Sequence, residues 1–372
     1  MDDNGTTPAA WQSVVDLLET GRRDNLFSCY DLVAGRGDQT RSIRGGWAQR
    51  EPEARKLDDN PIFDLGSLTK VICTTTLVMQ AVDQGLMRLD QTVAELWPEF
   101  PAPWASKVTL THLLSHSSGL AATRPYFEKM QGVGDILSRV AIDPLDATPG
   151  RVSIYSDLGF MVLGRILEIH LGARLDQLFY TRVAQPLGLE QTFFLPIERG
   201  KSSPQYPTER FVATERCRNR GRVLVAEVHD HNAWAMGGVV GHAGLFGTAS
   251  DVFRFGRMTL DSWQGRGPLP TEQVRLFANR AQIVQGSDRA LGWDTPSSGR
   301  SSSGTMFGSQ AIGHLGYVGT SLWVDLQSGT LIVLLTNRVH PEDTAAGRRA
   351  MRAFRPGLHD VVWEALDPGL DT

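Results

Sequence analysis

Ser67 and Lys70 stand three residues apart at the head of a mostly apolar stretch, Val71 to Leu86, in a chain with five lysines against thirty-two arginines. The stretch is long enough for a buried helix that stops at Gly85, and Gly66 permits a sharp entry into it. A separation of three places Ser67 and Lys70 on one helical face. At the start of such a helix a seryl oxygen meets the positive end of the backbone dipole, and its amide can help to hold an oxyanion. The same tetrapeptide also fits a serine N-cap followed by a surface lysine, so the rest of the chain has to decide.

Two further constellations bear on that choice. Tyr155-Ser156-Asp157 lies just before the apolar run Leu158 to Gly164. Gly313-His314-Leu315-Gly316-Tyr317-Val318-Gly319 precedes two alternating strand-like runs, Ser321 to Leu326 and Thr330 to Leu335, joined by Gln327-Ser328-Gly329. With Ser67-Leu68-Thr69-Lys70, and in this order, they resemble the Ser-x-x-Lys, Tyr-x-Asn and Lys-Thr-Gly motifs of class C β-lactamases and their penicillin-binding-protein-like relatives, which include D-alanyl carboxypeptidases and esterases.

The resemblance runs along nearly the whole chain. Gly85 to Asp90 leading to Trp97-Pro98-Glu99-Phe100 is similar to the family's connection after the nucleophile helix. Thr109 to Leu120 is similar to its most recognisable helix and turn, and Leu334 to Pro341 to the strand end whose asparagine faces the substrate carboxylate. Val228 to Ala233 and Gly237 to Phe246 resemble a subgroup often linked with cell-wall metabolism.

The resemblance implies a serine hydrolase acting through a covalent acyl-enzyme, without cofactor. Ser67 is then the nucleophile, Lys70 and Tyr155 the candidate bases and Asp157 a supporting residue. The amides of Ser67 and Tyr317 form the oxyanion hole, while His314, Gly316, Asn337 and Arg338 meet the substrate. Lys70 can act as base only if its pKa falls, because an ammonium has no lone pair. Tyr155 could instead take the proton as a phenolate and later activate water.

Two departures from the class C pattern weigh on these roles. Asp157 replaces asparagine, and a carboxylate beside Lys70 favours the ammonium, which shifts the preference to Tyr155. His314 replaces lysine and, being largely neutral at pH 7, attracts a substrate carboxylate less. A carboxylesterase or a D-amino-acid amidase or peptidase is therefore expected ahead of a strong β-lactamase. The partner is a small ester, amide or peptide.

Composition narrows the alternatives. With 41% hydrophobic and 21% charged residues the chain can bury a large core. A net charge of −4 gives no nucleic-acid surface, and the cluster Arg216, Arg218, Arg220 and Arg222 reads as a solvated loop. Cys29, Cys73 and Cys217 are odd in number and lack metal or redox spacing, with Cys73 a packing residue. No stretch approaches transmembrane length and no signal peptide is visible, so the expected location is cytoplasmic, or periplasmic or secreted if a leader was trimmed.

Rival functions remain. His229, Asp230, His231 and His242 invite a metal-dependent hydrolase, but their spacing does not match His-Glu-x-x-His, so no metal is expected and the segment reads as a loop bordering the active site. A Gly-x-Ser-x-Gly elbow occurs nowhere, which disfavours an α/β-hydrolase. A catalytically silent ligand-binding relative is the non-enzyme alternative, and the intact Ser67, Lys70 and Tyr155 argue against it.

The order of elements gives an α+β plan of the β-lactamase/transpeptidase type. After a short helix containing Trp11 to Leu18, Asn25 to Ala34 and Arg41 to Gln49 form a hairpin across Gly35 to Asp38, which must pair with the C-terminal strands. Residues 1–66 and 241–372 then make a sheet lobe and 67–240 a mainly helical lobe of one catalytic unit. A helical stretch is expected over 250–280, a flexible surface loop over Pro296 to Gly304, and a last helix from Glu342 to Leu366 interrupted near Pro356-Gly357.

Overall fold

The computed structural model describes residues 9–198, 200–299 and 301–367. Its main sheet joins the two ends of the chain. The hairpin strands Cys29–Arg36 and Gln39–Gln49 turn tightly at Gly37-Asp38, two residues later than the sequence suggests. Cys29–Arg36 lies antiparallel to Thr330–Thr336, with Leu32 opposite Leu334 and Val33 opposite Val333. The strands Ser321–Asp325 and Ala311–Leu315 continue the sheet to one edge, and Arg55–Lys56 forms the other. All six strands are antiparallel, as the α+β plan requires.

Thr330–Thr336 is buried along its whole length, which explains its unbroken apolar sequence. Its alternate residues feed two cores. Leu331, Val333 and Leu335 face the core that runs through the inserted helical region. Ile332 and Leu334 face Trp11, Val14 and Leu18 of the helix Ala9–Arg23 and Met351, Leu358 and Val362 of the C-terminal helix. The first of these cores continues without a break from the sheet into Leu68, Val71, Leu77, Phe160 and Leu167, so the inserted region shares its interior with the sheet.

Three local expectations need correction. The C-terminal helix runs unbroken over Ala345–Ala365 with Pro356 inside it. Met351 before the proline and Leu358 and Val362 after it are all buried against the sheet, and that burial outweighs the lost backbone bond. The serine-rich loop is not simply a solvated tether. Although Arg300 lies outside the described residues, Ser301 and Ser303 are buried with their hydroxyls 2.7 Å apart. The stretch 250–280 is two helices, Ala249–Trp263 and Thr271–Ala278, separated where Gly265 and Pro270 interrupt the pattern.

His359 ties that loop to the sheet from a fully buried position. Its Nδ1–H donates to the Ser302 carbonyl at 2.9 Å, leaving Nε2 to accept from Ser321 Oγ at 3.3 Å. Burial pushes its pKa down to about 4. The unfolded chain takes up this proton near the ordinary histidine value of about 6.5, whereas the folded chain refuses it until about pH 4. Stability is therefore fully present above about 6.5 and falls between 6.5 and 4, by roughly 3 kcal/mol from this residue. Thermal unfolding at pH 7 and pH 4.5 should show the loss. His359→Asn, which keeps a donor for Ser302, should show a shallower one; equal slopes would place the titrating group elsewhere.

Candidate active site

Asp64, Gly66 and Thr69 shape the turn that carries Ser67. Gly66 has φ +53°, and its amide donates to Asp64 Oδ1 at 2.8 Å. Thr69 Oγ1 donates to the Gly66 carbonyl at 2.7 Å and accepts the Leu245 amide at 3.1 Å, fixing the turn to a neighbouring strand. Lys70–Thr75 is a π-helical turn leading into the α-helix Thr76–Asp83, an irregularity found mostly at functional positions. Ser67 Oγ accepts from Lys70 Nζ and Lys70 is fully buried, so the reading as a cap followed by a surface lysine fails.

The Lys70 ammonium has three acceptors for its three protons. Nζ donates to Ser67 Oγ at 3.0 Å, to Asp157 Oδ1 at 2.7 Å and to the His242 carbonyl at 3.0 Å. Burial alone would lower its pKa. The carboxylate of Asp157, assisted by Tyr155, overrides burial and raises it. Lys70 is thus a fully donating cation that offers Ser67 no lone pair.

Each partner of Lys70 is delivered by a local device. Ser156 caps the helix Asp157–Leu171 by accepting the Gly159 amide at 3.2 Å, which fixes where Asp157 emerges. The imidazole of His116, which has φ +55°, accepts the Ser156 amide at 3.0 Å, and its carbonyl accepts the Ile154 amide at 2.8 Å. His116 therefore grips the segment carrying Tyr155 from both sides and stacks a tilted ring on it, with centroids 4.4 Å apart. The glycine-rich segment supplies His242. A Cβ on Gly241 would stand 2.2 Å from the Phe160 carbonyl, so only glycine lets this backbone lie against the helix and present the next carbonyl to Lys70.

Tyr155 lies between two cations and two neutral imidazoles. Lys70 Nζ is 4.9 Å and Arg289 Cζ 5.3 Å from its ring centroid. Arg289, which pairs with Asp294, carries no motif and was not foreseen from the sequence. The rings of Tyr155 and His314 are 5.8 Å apart. His314 is buried in the edge strand, donates from Nδ1 to the Leu315 carbonyl at 2.9 Å and keeps Nε2 without a protein partner. Burial, and then the charges of Lys70 and Arg289, hold its pKa well below the usual value, so the ring is neutral.

The turn after this strand is braced from behind. Thr320 Oγ1 donates to the Leu65 carbonyl at 3.1 Å, joining the turn to the segment before Ser67. Arg338 donates to the Tyr317 carbonyl through Nε and Nη2, at 3.2 and 2.6 Å. Arg355 Nη2 reaches the Gly316 and Thr320 carbonyls, both at 3.1 Å. A Cβ on Gly66 would lie 3.5 Å from the Tyr317 amide nitrogen, which places that amide beside the Ser67 turn. Among the described residues, neither the Ser67 nor the Tyr317 amide donates to a protein acceptor.

Ser67, Tyr155, Asp157, His314, Gly316, Tyr317 and Arg338 all line one cleft of about 670 Å³. Asn337 does not. Its Oδ1 accepts the Ser28 and Cys29 amides, both at 3.1 Å, while Nδ2 donates to Ser28 Oγ at 2.7 Å and the Ala213 carbonyl at 3.0 Å. The asparagine expected at the substrate is an internal clamp on the first strand. Arg338 faces the cleft but is engaged by Tyr317 and by Asp343 at 2.7 Å. Arg220 is likewise internal: it pairs with Glu227 at 2.9 Å and donates to the Val228 and His229 carbonyls, contrary to a solvated loop.

The sheet, the inserted helices and this cleft define a β-lactamase-type fold. The family model "Beta-lactamase" matches residues 26–355, and the chain belongs to that family. A "Putative D-alanyl-D-alanine carboxypeptidase" of Salmonella agona (strain SL483) is 31% identical over 316 residues, 76% of this chain and 70% of the relative. Among solved structures, EstCE1, a hydrolase with promiscuous acyltransferase activity, superposes with a TM-score of 0.71 at 22% identity, covering 95% of this chain and 98% of that one. A class C β-lactamase gives 0.72 at 16%, covering 95% and 97%. At these identities the two structures share the fold. No helix among the described residues is long and apolar enough to cross a membrane.

Asp157→Asn separates the roles of Lys70. Without the carboxylate, burial dominates and the Lys70 pKa falls, at a stability cost of roughly 3 kcal/mol from the poorly compensated buried charge. If the ammonium is the working form, activity in the variant should drop at a pH well below the parent's alkaline limit. A variant more active than the parent at neutral pH would show that neutral Lys70 is the better base.

Proposed function

We propose that the protein is a serine hydrolase that forms an acyl-enzyme on Ser67 from a small ester, amide or peptide. The observation that carries this reading is the buried ammonium of Lys70 donating to Ser67 Oγ while its other two protons are held by Asp157 and His242. With that donor in place, the Ser67 proton has to leave towards another group, and Tyr155 is the base. Lys70 and Arg289 lie over its ring, 4.9 and 5.3 Å from the centroid, where their charges favour the phenolate as it works.

The steps balance around one proton. Ser67 Oγ attacks the carbonyl carbon as Tyr155 takes the hydroxyl proton, and the amides of Ser67 and Tyr317 receive the oxyanion. The tetrahedral species collapses when Tyr155 returns the proton to the leaving alcohol or amine. Water, deprotonated by Tyr155, then attacks the acyl carbon, and Tyr155 returns that proton to Ser67 Oγ as the acid leaves, which frees Ser67 and restores the base. Ser67→Ala should lower ester hydrolysis by at least ~10³-fold with an unchanged melting temperature and no fluorophosphonate adduct on its peptide. Retained turnover would remove Ser67 from the mechanism.

Charge supports a carboxylesterase or D-amino-acid amidase or peptidase over a strong β-lactamase. The position of a fixed cation on the edge strand is held by neutral His314, and Asn337 is turned inward. Most cleft arginines are already paired: Arg124 with Asp146, Arg289 with Asp294, and Arg338 and Arg348 with Asp343. Arg352, exposed on the C-terminal helix, lines the cleft without an acidic partner among the described residues. Arg352→Ala should therefore raise KM for a carboxylate-bearing D-alanyl peptide several-fold and leave a neutral aryl ester unaffected. His314→Lys should accelerate acylation by penicillin more than by that ester; an equal change for both would show that His314 does not set the preference.

A further inference from the structure

A second group of reactive side chains stands in the cleft wall, outside the reaction just described. Glu215 and Cys217 flank Arg216 at the start of a small hairpin, Arg216–Cys217 with Arg222–Val223, so extended backbone turns both to one side. His229 and His231 flank Asp230, the N-cap of the short helix His231–Ala235. Asp230 points away to His242, at 3.0 Å, while both histidines meet the carboxylate of Glu215. His231 Nε2 lies 3.4 Å from Oε1 and His229 Nε2 3.5 Å from Oε2, and Cys217 Sγ is 3.9 Å from His231 Nδ1. One donor atom each from Glu215, Cys217 and His231 falls within 4.8 Å of the others.

The two Glu215–histidine distances are long for hydrogen bonds but close to the separations of ligands around one small cation, and Cys217 Sγ stands within 4.8 Å of the Glu215 and His231 donor atoms. Ligands on a tetrahedral zinc stand roughly 3.3–3.6 Å apart, given bonds of about 2.0 Å to nitrogen or oxygen and 2.3 Å to sulfur. The burial of His229 adds to this. His229 is 8% exposed, and its buried Nε2, aimed at Glu215, makes no hydrogen bond. A buried imidazole nitrogen rarely goes without a partner.

We propose that Glu215, Cys217 and His231, with His229 as the fourth ligand, form a binding site for Zn²⁺. Carboxylate and thiolate together balance the dication. The nearest positive charge, Arg220 with Nη2 3.4 Å from His231 Nδ1, is already paired with Glu227. Binding forms the Zn–S bond as the Cys217 thiol gives one proton to solvent, so one proton appears per ion bound. His231 uses a single ring nitrogen, and a small ring rotation sets it for the ion. Glu215, His229 and His231 all line the cleft, which gives the ion a path from solvent. The site is also linked to the nucleophile turn, because the His229 amide donates to Asp64 Oδ2 at 2.6 Å and Asp64 Oδ1 holds Gly66.

The test uses the full chain stripped with chelator and titrated with Co²⁺ as a coloured substitute, then with Zn²⁺ in competition. The expected result is one equivalent of Co²⁺ bound with release of about one proton, a thiolate-to-cobalt charge-transfer band, and loss of that band on displacement by Zn²⁺ without further proton release. The band should disappear in Cys217→Ser, persist in Cys29→Ser and Cys73→Ser, and require at least ~10-fold more cobalt in His231→Asn. Circular dichroism establishes that each variant is folded, and Glu215→Gln replaces any variant that is not. Absence of the band in the parent, or its survival in Cys217→Ser, overturns the proposal. Fluorophosphonate labelling of Ser67 in the metal-free protein is read separately, so failure of the cation site and failure of the serine mechanism are distinguishable.

Discussion

A single buried charge organises the functional half of this molecule. Taking an ammonium out of water costs several kcal/mol unless its protons are all received, and Lys70, fully buried, meets that condition with three acceptors from three distant parts of the chain. Ser67 comes from the turn shaped by Asp64, Gly66 and Thr69, Asp157 from the head of a capped helix, and the His242 carbonyl from a glycine-rich segment pressed against that helix. The need to satisfy one cation therefore demands that the sheet-borne turn, the inserted helices and the glycine-rich segment meet within hydrogen-bond reach. The cleft is where they meet.

That dependence explains what could be read from the sequence. The meeting of Lys70 with Ser67 and Asp157 was legible because each pair of motif residues sits at a helix start, in the order the resemblance gave. The sheet was legible because strand periodicity at both ends of the chain left each half without a partner. The role of Asn337 was not legible, since its place at a strand end is the same whether its amide turns to the substrate or to the Ser28 and Cys29 amides; only tertiary packing decides. Arg289 gave no signal at all, because its significance lies in standing over a tyrosine 134 positions earlier in the chain. The alternation of His229, Asp230 and His231 was a usable signal. It says that the two histidines share a side, which is what Glu215 exploits.

Histidines do structural work here that surface-directed reasoning would miss. His116 holds the tyrosine segment, the His242 ring meets Asp230, and His340 accepts the Arg50 amide at 2.8 Å while donating to the Thr214 carbonyl at 2.7 Å. A neutral imidazole supplies one donor and one acceptor at opposite corners of a flat ring, so it can bridge backbone groups inside a core without a counter-ion. Burial keeps His340 and His359 below their ordinary pKa values, which preserves the bridging form at neutral pH.

The same economy bears on what the cleft selects. A lysine at position 314 would add a third cation beside Lys70 and Arg289, and each added like charge in a buried space weakens the hold on the others. Asp157 already commits one full negative charge to keeping Lys70 protonated, and Asp294 another to Arg289. With those two charges balanced internally, Arg355, held by the Gly316 and Thr320 carbonyls, is the buried cleft arginine without a carboxylate partner among the described residues. Under the proposed function, attraction for a carboxylate would then fall to Arg352, which is exposed at the cleft and screened by solvent, and the inner surface around Ser67 would recognise the carbonyl itself.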